Sequence, residues 1–455
     1  MPLIMRSLAF LVCLTVSLAA DDTHAEEGKR WALLVSSANT WINYGMQADV
    51  YHAYWLFREG GIPEEQIIVM AFDDIVNNDK NPFKGQVFES YDLEDVYKGI
   101  RIDYRRESVN KDVFLSVLRG DKDAVKRLTD SDGKVIDSGP SDNVFVFVSD
   151  HGAPGYIAWY DNNFLSAKEL NQTIASMHEE NRYKNLVLYV DTCFAGSMFK
   201  DTLPNNIGVY AATATNATFY AYSSECHSRV FGKAATCLGG LFSTNWAYGA
   251  QSDDRSTSTM NMQFQGAKIA CQGATTPMQY GDISIAHMTQ KEFFGDSVLN
   301  RNILRRSRPR RSVERASVIR KNMLAYQTLK NQLAALPKGS RGAQRLMARV
   351  SSVEKLMGLA DKFFLDTYTS VHGRLATNSS TTWAETNFGV IKWSCYEPVV
   401  KAVMSLCPKM MRTEEVRYYA GAKFGVLVNL CNQISTAKVL AALKRAAEIN
   451  PLCAV

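Results

Sequence analysis

"NLVLYVDTCFAGSMF" (residues 185–199) is an apolar, β-prone run that leads into an acid, a threonine and a cysteine. Its first six residues predict a buried strand, which puts the cysteine at the edge of a sheet. Most cysteines that follow a core strand are simply small buried hydrophobes. Cys193 is therefore open to three interpretations: it is buried, bridged or reactive. The choice depends on which other residues reach the same edge.

Four more apolar runs predict buried strands, and helical patterns separate them. The strand runs cover residues 31–36, 66–72, 143–149 and 207–213. The helical patterns cover residues 48–60, 113–118 and 167–177. Strands that alternate with helices in this way predict an α/β domain with a mostly parallel sheet flanked by helices.

A histidine follows one of these strands as the cysteine follows another. Asp150, His151 and Gly152 come after the run 143–149. In a doubly wound sheet the carboxyl ends of parallel strands share one edge, so neighbouring strands would bring His151 and Cys193 together. An imidazole there can take the thiol proton, and the backbone N–H groups of Gly152 and Cys193 can stabilise an oxyanion. Although an Asp-His-Gly stretch alone is usually just a turn, the pair predicts catalysis.

Metal binding is a weaker interpretation of the same edge. Neither His151 nor Cys193 has a second cysteine or histidine at ligand spacing. We therefore expect no metal and no cofactor.

The N-terminus predicts a secretory signal peptide over residues 1–20. Arg6 precedes an apolar stretch that ends in small residues. No later stretch is apolar for long enough to predict a membrane span. In the secretory route, Asn171, Asn216 and Asn378 are candidate glycosylation sites.

Eight cysteines remain after the predicted signal peptide. In an oxidising compartment an even number suggests bridges. Two disulfides are expected among the four near the C-terminus: Cys395, Cys407, Cys431 and Cys453. Of the remaining four, the three that follow Cys193, which are Cys226, Cys237 and Cys271, leave two possibilities open. They form one bridge and one free thiol, or one of them pairs with Cys193 and abolishes its reactivity.

The charge is divided unevenly along the chain. Residues 1–300 carry a net charge of −12 and residues 301–455 a net charge of +17. Two such parts of one chain would attract each other. A nucleic-acid-binding tail is the rival interpretation, which a secreted, disulfide-bearing chain disfavours.

A basic stretch separates the two parts. Residues 301–321 hold nine basic residues and one acid, which is typical of a solvated linker. "RPRR" (308–311) has the spacing that basic-specific secretory convertases cut, so a convertase acting after Arg311 is a candidate partner. The chain becomes helical in period from residue 325 onward. The predicted domains are a catalytic domain at 21–290, a basic linker or activation peptide at 291–345, and a helical domain at 346–455.

Several motifs in this order resemble the legumains, the asparaginyl endopeptidases of the caspase-like cysteine protease clan. They include "WINYGMQADVYHAYWLFREGG" (41–61), "VFVSDHGAPG" (146–155), "VDTCFAGSMF" (190–199), "FSTNW" (242–246) and "MQYGD" (278–282). Near the end, "SCYEPVV" (394–400) and "FGVLVNLC" (424–431) match the family's four-cysteine helical prodomain. The GPI-transamidase subunit shares two of the signatures, but it ends in a membrane span and lacks the four-cysteine domain.

The resemblance implies roles for four residues. Cys193 would be the nucleophile, His151 the general base, and Asn43 the residue that orients the imidazole. Gly152 would contribute to the oxyanion site. It also implies a caspase-like fold and a C-terminal prodomain that inhibits the enzyme until acid releases it. Protonation of carboxylates near about pH 4–5 would weaken the attraction between the two charged parts.

The substrate pocket departs from the family. Gly45 and Met46 stand where the family has arginine and histidine, and Gly249 lies where an acidic pair is expected. Asp191 keeps the acid before the nucleophile, and Tyr222 lies in an altered stretch. Asp253 or Asp254 could replace the lost acids only through a rebuilt loop. We therefore expect a residue preference other than strict asparagine, in a less polar pocket.

These observations predict a secreted or lysosomal, acid-activated cysteine endopeptidase zymogen that acts on proteins and peptides. A transpeptidase side activity is also expected, because an amine can resolve an acyl-enzyme. The lysosome, the gut lumen and the extracellular space all suit such a protein. The alternative is a secreted pseudoprotease that binds proteins, suggested by the altered pocket and by the integrin-type triplet Arg119-Gly120-Asp121.

Overall fold

The structure is a computed structural model. It describes residues 28–90, 94–161, 163–226, 236–296, 318–373 and 387–453. The predicted signal peptide, the RPRR tract and Asn378 lie outside these residues. The strands are β1 Arg30–Ser36, β2 Ile67–Ala71, β3 Asn143–Ser149, β4 Gly152–Ala153, β5 Tyr156–Ala158, β6 Phe164–Ser166, β7 Asn185–Asp191, β8 Val209–Thr213, β9 Tyr222–Ser224, β10 Gly239–Gly240, β11 Met278–Gly281 and β12 Ile319–Arg320.

The helices divide into two groups along the chain. Those of the N-terminal part are α1 Tyr44–Glu59, α2 Lys111–Arg119, α3 Lys122–Thr129, α4 Ala167–Glu179, α5 Leu241–Ser252, α6 Met260–Ala270 and α7 Lys291–Phe294. Those of the C-terminal part are α8 Leu324–Ala334, α9 Arg341–His372, α10 Trp393–Leu406, α11 Pro408–Arg412, α12 Glu414–Gly421, α13 Phe424–Gln433 and α14 Thr436–Glu448.

A six-stranded sheet forms the centre of the N-terminal part. Its order is β11-β8-β7-β3-β1-β2, and only the β11–β8 pair is antiparallel. Both faces are covered, because residues of β3 alternate between two apolar clusters: Phe145 packs with helix α1 on one face, and Val146 packs with helix α2 on the other. Buried strands of this kind need apolar residues at every position. The α/β fold predicted from the sequence is confirmed, and it is caspase-like.

Two small sheets flank the site edge. Strands β4, β5 and β6 form an antiparallel sheet directly after β3. Strand β12 pairs antiparallel with β9, which also pairs with β10. Residues from the C-terminal part of the chain therefore complete a sheet that begins in the N-terminal part.

The C-terminal part is helical and contains two disulfides, Cys395–Cys431 and Cys407–Cys453. The boundary predicted at 345/346 falls inside α9, which begins at Arg341 because the Ser340 side chain accepts a hydrogen bond from the Ala343 N–H. Helix α8 likewise lies within the segment that the sequence predicts as linker. Among the described helices, none combines the length and apolar character that a membrane crossing requires.

Candidate active site

The parallel pairing of β3 with β7 determines where His151 and Cys193 lie. Ser149 lies opposite Asp191 in the parallel register, so the two segments that follow β3 and β7 leave the sheet side by side. His151 and Cys193 each lie two residues further on. Gly152 packs against the next turn so closely that a Cβ there would lie 2.3 Å from the Cys193 carbonyl oxygen. Only glycine allows this approach, and the two turns are therefore held together.

One hydrogen bond fixes the orientation of His151. Its Nε2 lies 2.8 Å from Oδ1 of Asn43, and the Asn43 amide nitrogen donates to the Asn39 carbonyl at 2.8 Å. The amide oxygen can only accept, so Nε2 carries the proton. The other ring nitrogen, Nδ1, is buried without a hydrogen-bond partner and is left as the basic atom.

Asp150 holds the turn that carries His151. Its Oδ1 accepts from the His151 N–H at 2.7 Å, and its Oδ2 accepts from the Ser37 N–H, the Ser37 hydroxyl and the Ala38 N–H. Burial raises the pKa of Asp150 to about 6, although these hydrogen bonds oppose the rise. The carboxylate thus links the end of β1 to the end of β3.

Cys193 is a buried free thiol. Its Sγ lies 3.9 Å from the Ala221 carbonyl oxygen, and burial raises its pKa to about 11. Cys226 bridges to Cys237, and Cys271 is the second free cysteine in the described part of the chain. The sequence left this pairing open. Because Cys193 is not bridged, its sulfur is available for chemistry.

Helix α12 of the C-terminal part covers His151. The ring of Tyr418 stacks on the imidazole with centroids 3.5 Å apart and 14° between the planes. The Arg417 guanidinium lies over the Tyr418 ring, 4.5 Å from its centroid, and donates to the Tyr160 carbonyl at 2.9 Å. Burial, with added repulsion from Lys321 and Arg417, lowers the pKa of His151 well below its usual value. In this arrangement the imidazole is neutral.

The same helix reaches the residue that orients His151. Glu414 accepts a hydrogen bond from the Thr40 hydroxyl, and its Oε1 lies 3.5 Å from the Asn43 amide nitrogen. Burial raises the pKa of Glu414. Helix α12 therefore contacts both the predicted base and its predicted orienting residue.

An acidic pocket lies beside Cys193, formed by Asp49, Ser149 and Asp191 with the backbone of Gly240. The Ser149 hydroxyl donates to Asp49 Oδ2 at 2.6 Å, and the Gly240 N–H donates to Asp49 Oδ1 at 2.8 Å. Asp191 Oδ2 accepts from the Ser243 hydroxyl at 2.7 Å. Burial, and then repulsion from nearby carboxylates, raise the pKa of Asp49 well above its usual value. Asp49 therefore holds a proton more readily than an exposed aspartate.

A buried ion pair stands behind this pocket. His52 contacts Glu89 through Nδ1, and its Nε2 lies 2.9 Å from the Gln251 side-chain oxygen. Burial alone would lower the pKa of His52, but Glu89 raises it to about 9, so the imidazole is charged. Sequence reasoning missed Asp49 and Glu89. Asp49 could have been found, because it lies one helical turn after Gly45 on the same face of α1.

A segment of the C-terminal part fills the pocket. Lys321 is fully buried, and its Nζ lies 3.0 Å from Asp191 Oδ1, 2.8 Å from the Asp191 carbonyl oxygen and 3.3 Å from the Ser149 hydroxyl. The basic run that ends at Lys321 was expected to be solvated. That expectation does not hold at Lys321, because the buried carboxylate of Asp191 compensates the loss of hydration.

The residues predicted to bind substrate are distributed around this segment. Gly45 packs on β10, where a Cβ would lie 2.8 Å from the Gly239 nitrogen. Met46 packs with Ile319 and the Cys226–Cys237 bridge. Tyr222 pairs with Arg320.

Gly249, where the family's acids are missing, and the two aspartates considered as replacements, Asp253 and Asp254, lie elsewhere. The Gly249 carbonyl accepts from the Asp253 N–H within helix α5 and the turn that ends it. Asp253 accepts from Gln290, and Asp254 accepts from Ser256. These contacts place both aspartates at the end of α5, and Asp49 and Asp191 form the pocket instead.

Other candidates from the sequence have structural partners. The Asn171 amide nitrogen donates to the carbonyls of Ala167 and Met198, which disfavours a glycan at that atom. Asn216 is half-buried and accepts from Thr218. Asp121 of the integrin-type triplet caps α3 by accepting from the Ala124 N–H. No cluster of potential metal ligands occurs among the described residues.

A parallel sheet that presents a histidine and an unbridged cysteine at one edge defines a caspase-like cysteine peptidase fold. The chain belongs to the peptidase C13 family, whose model matches residues 30–296.

Its similarity to individual relatives supports this assignment. The chain is 41% identical to a hemoglobinase of Schistosoma mansoni over 276 residues and 41% identical to a legumain of Rattus norvegicus over 280 residues. These matches cover 61% and 62% of the two relatives and the same shares of this chain. It is also 30% identical to the vacuolar-processing enzyme delta-isozyme of Arabidopsis thaliana over 432 residues, which covers 92% of this chain and 90% of that protein.

Proposed function

We propose that the chain is the zymogen of a cysteine endopeptidase that hydrolyses peptide bonds through Cys193 and His151. The carrying observation is the Asn43–His151 hydrogen bond beside an unbridged Cys193, because it leaves Nδ1 as a base at the edge where the thiol lies. Membership of the peptidase C13 family supports the same reaction.

The reaction follows from these groups. His151 Nδ1 takes the thiol proton as Sγ attacks the substrate carbonyl carbon, and the backbone N–H groups of Gly152 and Cys193 stabilise the oxyanion. The imidazolium then gives its proton to the leaving amine as the C–N bond breaks. Water hydrolyses the thioester with His151 as the base, which yields a carboxylate and restores the thiol. An amine in place of water would give transpeptidation.

We infer that the C-terminal part inhibits this reaction until it is displaced. Tyr418 lies over the predicted base, Glu414 contacts Asn43, and Lys321 fills the pocket beside the nucleophile. A substrate cannot reach Cys193 while these residues remain. The chain therefore acts as its own inhibitor.

Acid would favour displacement through His151. Covered by Tyr418 and facing Lys321 and Arg417, His151 has a pKa well below its usual value; when uncovered it returns toward about 6.5. The open state therefore binds a proton that the covered state excludes. The free energy of covering is fully present above about pH 6.5 and decreases as the pH falls below that value. Glu414 acts in the opposite direction, because its raised pKa favours the covered state in acid.

We propose the cellular compartment of the protein from its sequence. Residues 1–20 predict a signal peptide, so the zymogen would enter the secretory pathway and reach the lysosome or the extracellular space, including a gut lumen. A convertase that cuts after Arg311 would separate the two parts of the chain. Bridges between buried cysteines suit such a compartment.

The test is covalent labelling of Cys193 by a thiol-reactive peptide probe near about pH 5. We expect labelling in the intact chain and in Cys271→Ala, which removes the other buried free thiol, and a large loss in His151→Ala. Labelling that is absent at every pH would instead support the pseudoprotease that binds proteins. Labelling unaffected by His151→Ala would contradict the proposed base.

A further inference from the structure

We propose that the acidic pocket selects a lysine at the substrate residue whose carbonyl Cys193 attacks, and that the bond between Lys321 and Asn322 is the chain's own cleavage site. This inference rests on the proposed peptidase function and names its substrate class. The carrying observation is the position of Lys321, which lies in the pocket as a substrate residue would.

The backbone that leads into Lys321 has the form of a bound substrate strand, and a short 3-10 helix, Lys321–Met323, follows it. Ile319 and Arg320 pair antiparallel with Ser223 and Tyr222, and the Lys321 N–H donates to the Ala221 carbonyl at 2.9 Å. Extended peptides commonly bind by adding a strand to a sheet edge in this way.

The next residue reaches the nucleophile. The Asn322 backbone opposes the rise in the pKa of the Cys193 thiol, which means that a donor, the Asn322 N–H, lies beside the sulfur. The peptide bond beside the sulfur therefore joins Lys321 to Asn322, and it places Lys321 on the acyl side.

The charges of the pocket match an ammonium group. Both side chains of the Lys321–Asp191 ion pair are completely buried, with 3.0 Å between Nζ and Oδ1. The charge of Glu89 is already compensated by His52, and Asp49 favours its protonated form. One carboxylate, Asp191, therefore remains to be balanced, and a substrate lysine supplies the single positive charge.

An asparagine would lack a comparable partner. Its carbonyl needs a donor, but Gly45 has no side chain, and a Cβ at that position would meet the Gly239 backbone at 2.8 Å. The chain itself carries a lysine and an asparagine at adjacent positions, 321 and 322. Lys321 lies in the pocket, whereas the Asn322 side chain leaves its buried Oδ1 without a hydrogen-bond partner. The expectation of a less polar pocket is therefore replaced by that of a charged one.

Cleavage at this bond follows the chemistry already given. Cys193 would form a thioester with the Lys321 carbonyl carbon, the C–N bond would break, and Asn322 would leave as an amine after taking the proton from His151. Water would then release Lys321 as a carboxylate. The covalent connection between the sheet domain and the helical part would be lost.

The first experiment locates the cut in the full chain after acid incubation by mass spectrometry of new termini. We expect a new N-terminus at Asn322. Lys321→Met, which keeps the length but removes the charge, should slow this cut by at least about 10²-fold, because it leaves Asp191 buried and unpaired. Arg320→Met is the matched control and should have a much smaller effect. A new N-terminus at Met323, which means a cut after Asn322, would overturn the proposal.

The second experiment measures selectivity in trans with peptides Ile-Arg-X-Asn-Met, where X is lysine, norleucine or asparagine. We expect kcat/KM for lysine to exceed that for norleucine by about 10²-fold or more, since norleucine fills the same space without the charge. Asp191→Asn should bring the two values together. Equal rates for lysine and norleucine, or a preference for asparagine, would contradict the proposal.

The Cys193→Ala variant distinguishes a failure of the proposed lysine preference from a failure of the proposed peptidase function. If cuts disappear in that variant but do not follow lysine, the peptidase function stands and this inference fails. If neither the chain nor any peptide is cut, and Cys193 resists labelling, the proposed function fails first.

Discussion

The proposed catalytic pair, His151 and Cys193, and the acidic pocket lie side by side under residues of the C-terminal part, yet the contacts differ in kind. His151 is covered by an aromatic ring that excludes water and keeps it neutral. Asp191 is covered by a lysine that neutralises its charge. Under the proposed function, the first contact suppresses a proton transfer and the second occupies a binding site. The first should therefore respond to pH and the second to the chemistry of the substrate.

The largest effect is expected at the nucleophile. Cys193→Ala should lower peptide hydrolysis by about 10⁴-fold or more, because the residual rate without a nucleophile comes only from binding and oxyanion stabilisation. The measurement is kcat on a peptide that the intact chain cleaves. Cys271→Ala, the other buried free cysteine, should keep most of the activity. Similar losses of activity in both variants would show that the loss in Cys193→Ala comes from removing a buried side chain and not from removing a nucleophile.

A smaller loss is expected when His151 is no longer oriented. Asn43→Ala removes the acceptor 2.8 Å from Nε2 and should lower kcat on the order of 10²-fold, with little change in KM. A rise in KM at constant kcat would contradict the positioning role, since it would show that Asn43 contributes to substrate binding.

The effect of the Tyr418 ring on His151 should be distinguishable from the effect of Lys321 in the acidic pocket, because the first depends on pH. Tyr418→Ala exposes His151, so the imidazole can be protonated at a higher pH, near about 6.5. The rate at which a thiol reagent labels Cys193 in the full chain should then rise by about tenfold at neutral pH. Tyr419→Ala is the control, because Tyr419 contacts Asp361 within the helical part. Equal effects of the two substitutions would mean that general loosening of the helices explains the result.

The smallest effect is expected from salt. The opposite charges of the two parts of the chain attract over distances that salt screens, so added salt should speed acid activation by a few-fold. The buried Lys321–Asp191 pair is shielded from salt and limits the size of this effect. Activation is monitored through the rate of Cys193 labelling. A rate that does not change with ionic strength would show that long-range attraction does not hold the two parts together.

Much of the sheet could be predicted from the sequence. Strand β3 matches the predicted residues 143–149 in full, because every one of its residues is buried and the apolar run has clear ends. Helix α1 begins at Tyr44 and not at residue 48, since the turn from Trp41 to Asn43 leads directly into it. Strong local patterns fixed the strands more reliably than the ends of helices.

The contents of the pocket could not be predicted in the same way. Lys321 belongs to a run whose composition is typical of solvent-exposed chain, and its partner Asp191 lies 130 residues away. Nothing local distinguishes it from Arg320 beside it. The pairing of Cys226 with Cys237 was open for the same reason, because four thiols allow several bridges and only the fold selects one.

The most direct test of the central claim is cleavage of a diverse peptide library by the full chain at about pH 4–5, with Cys193→Ala alongside. The account predicts cuts that share one residue preference on the acyl side and disappear in Cys193→Ala. Cuts that persist in Cys193→Ala, or a library left intact by a chain whose Cys193 is unreactive, would contradict it.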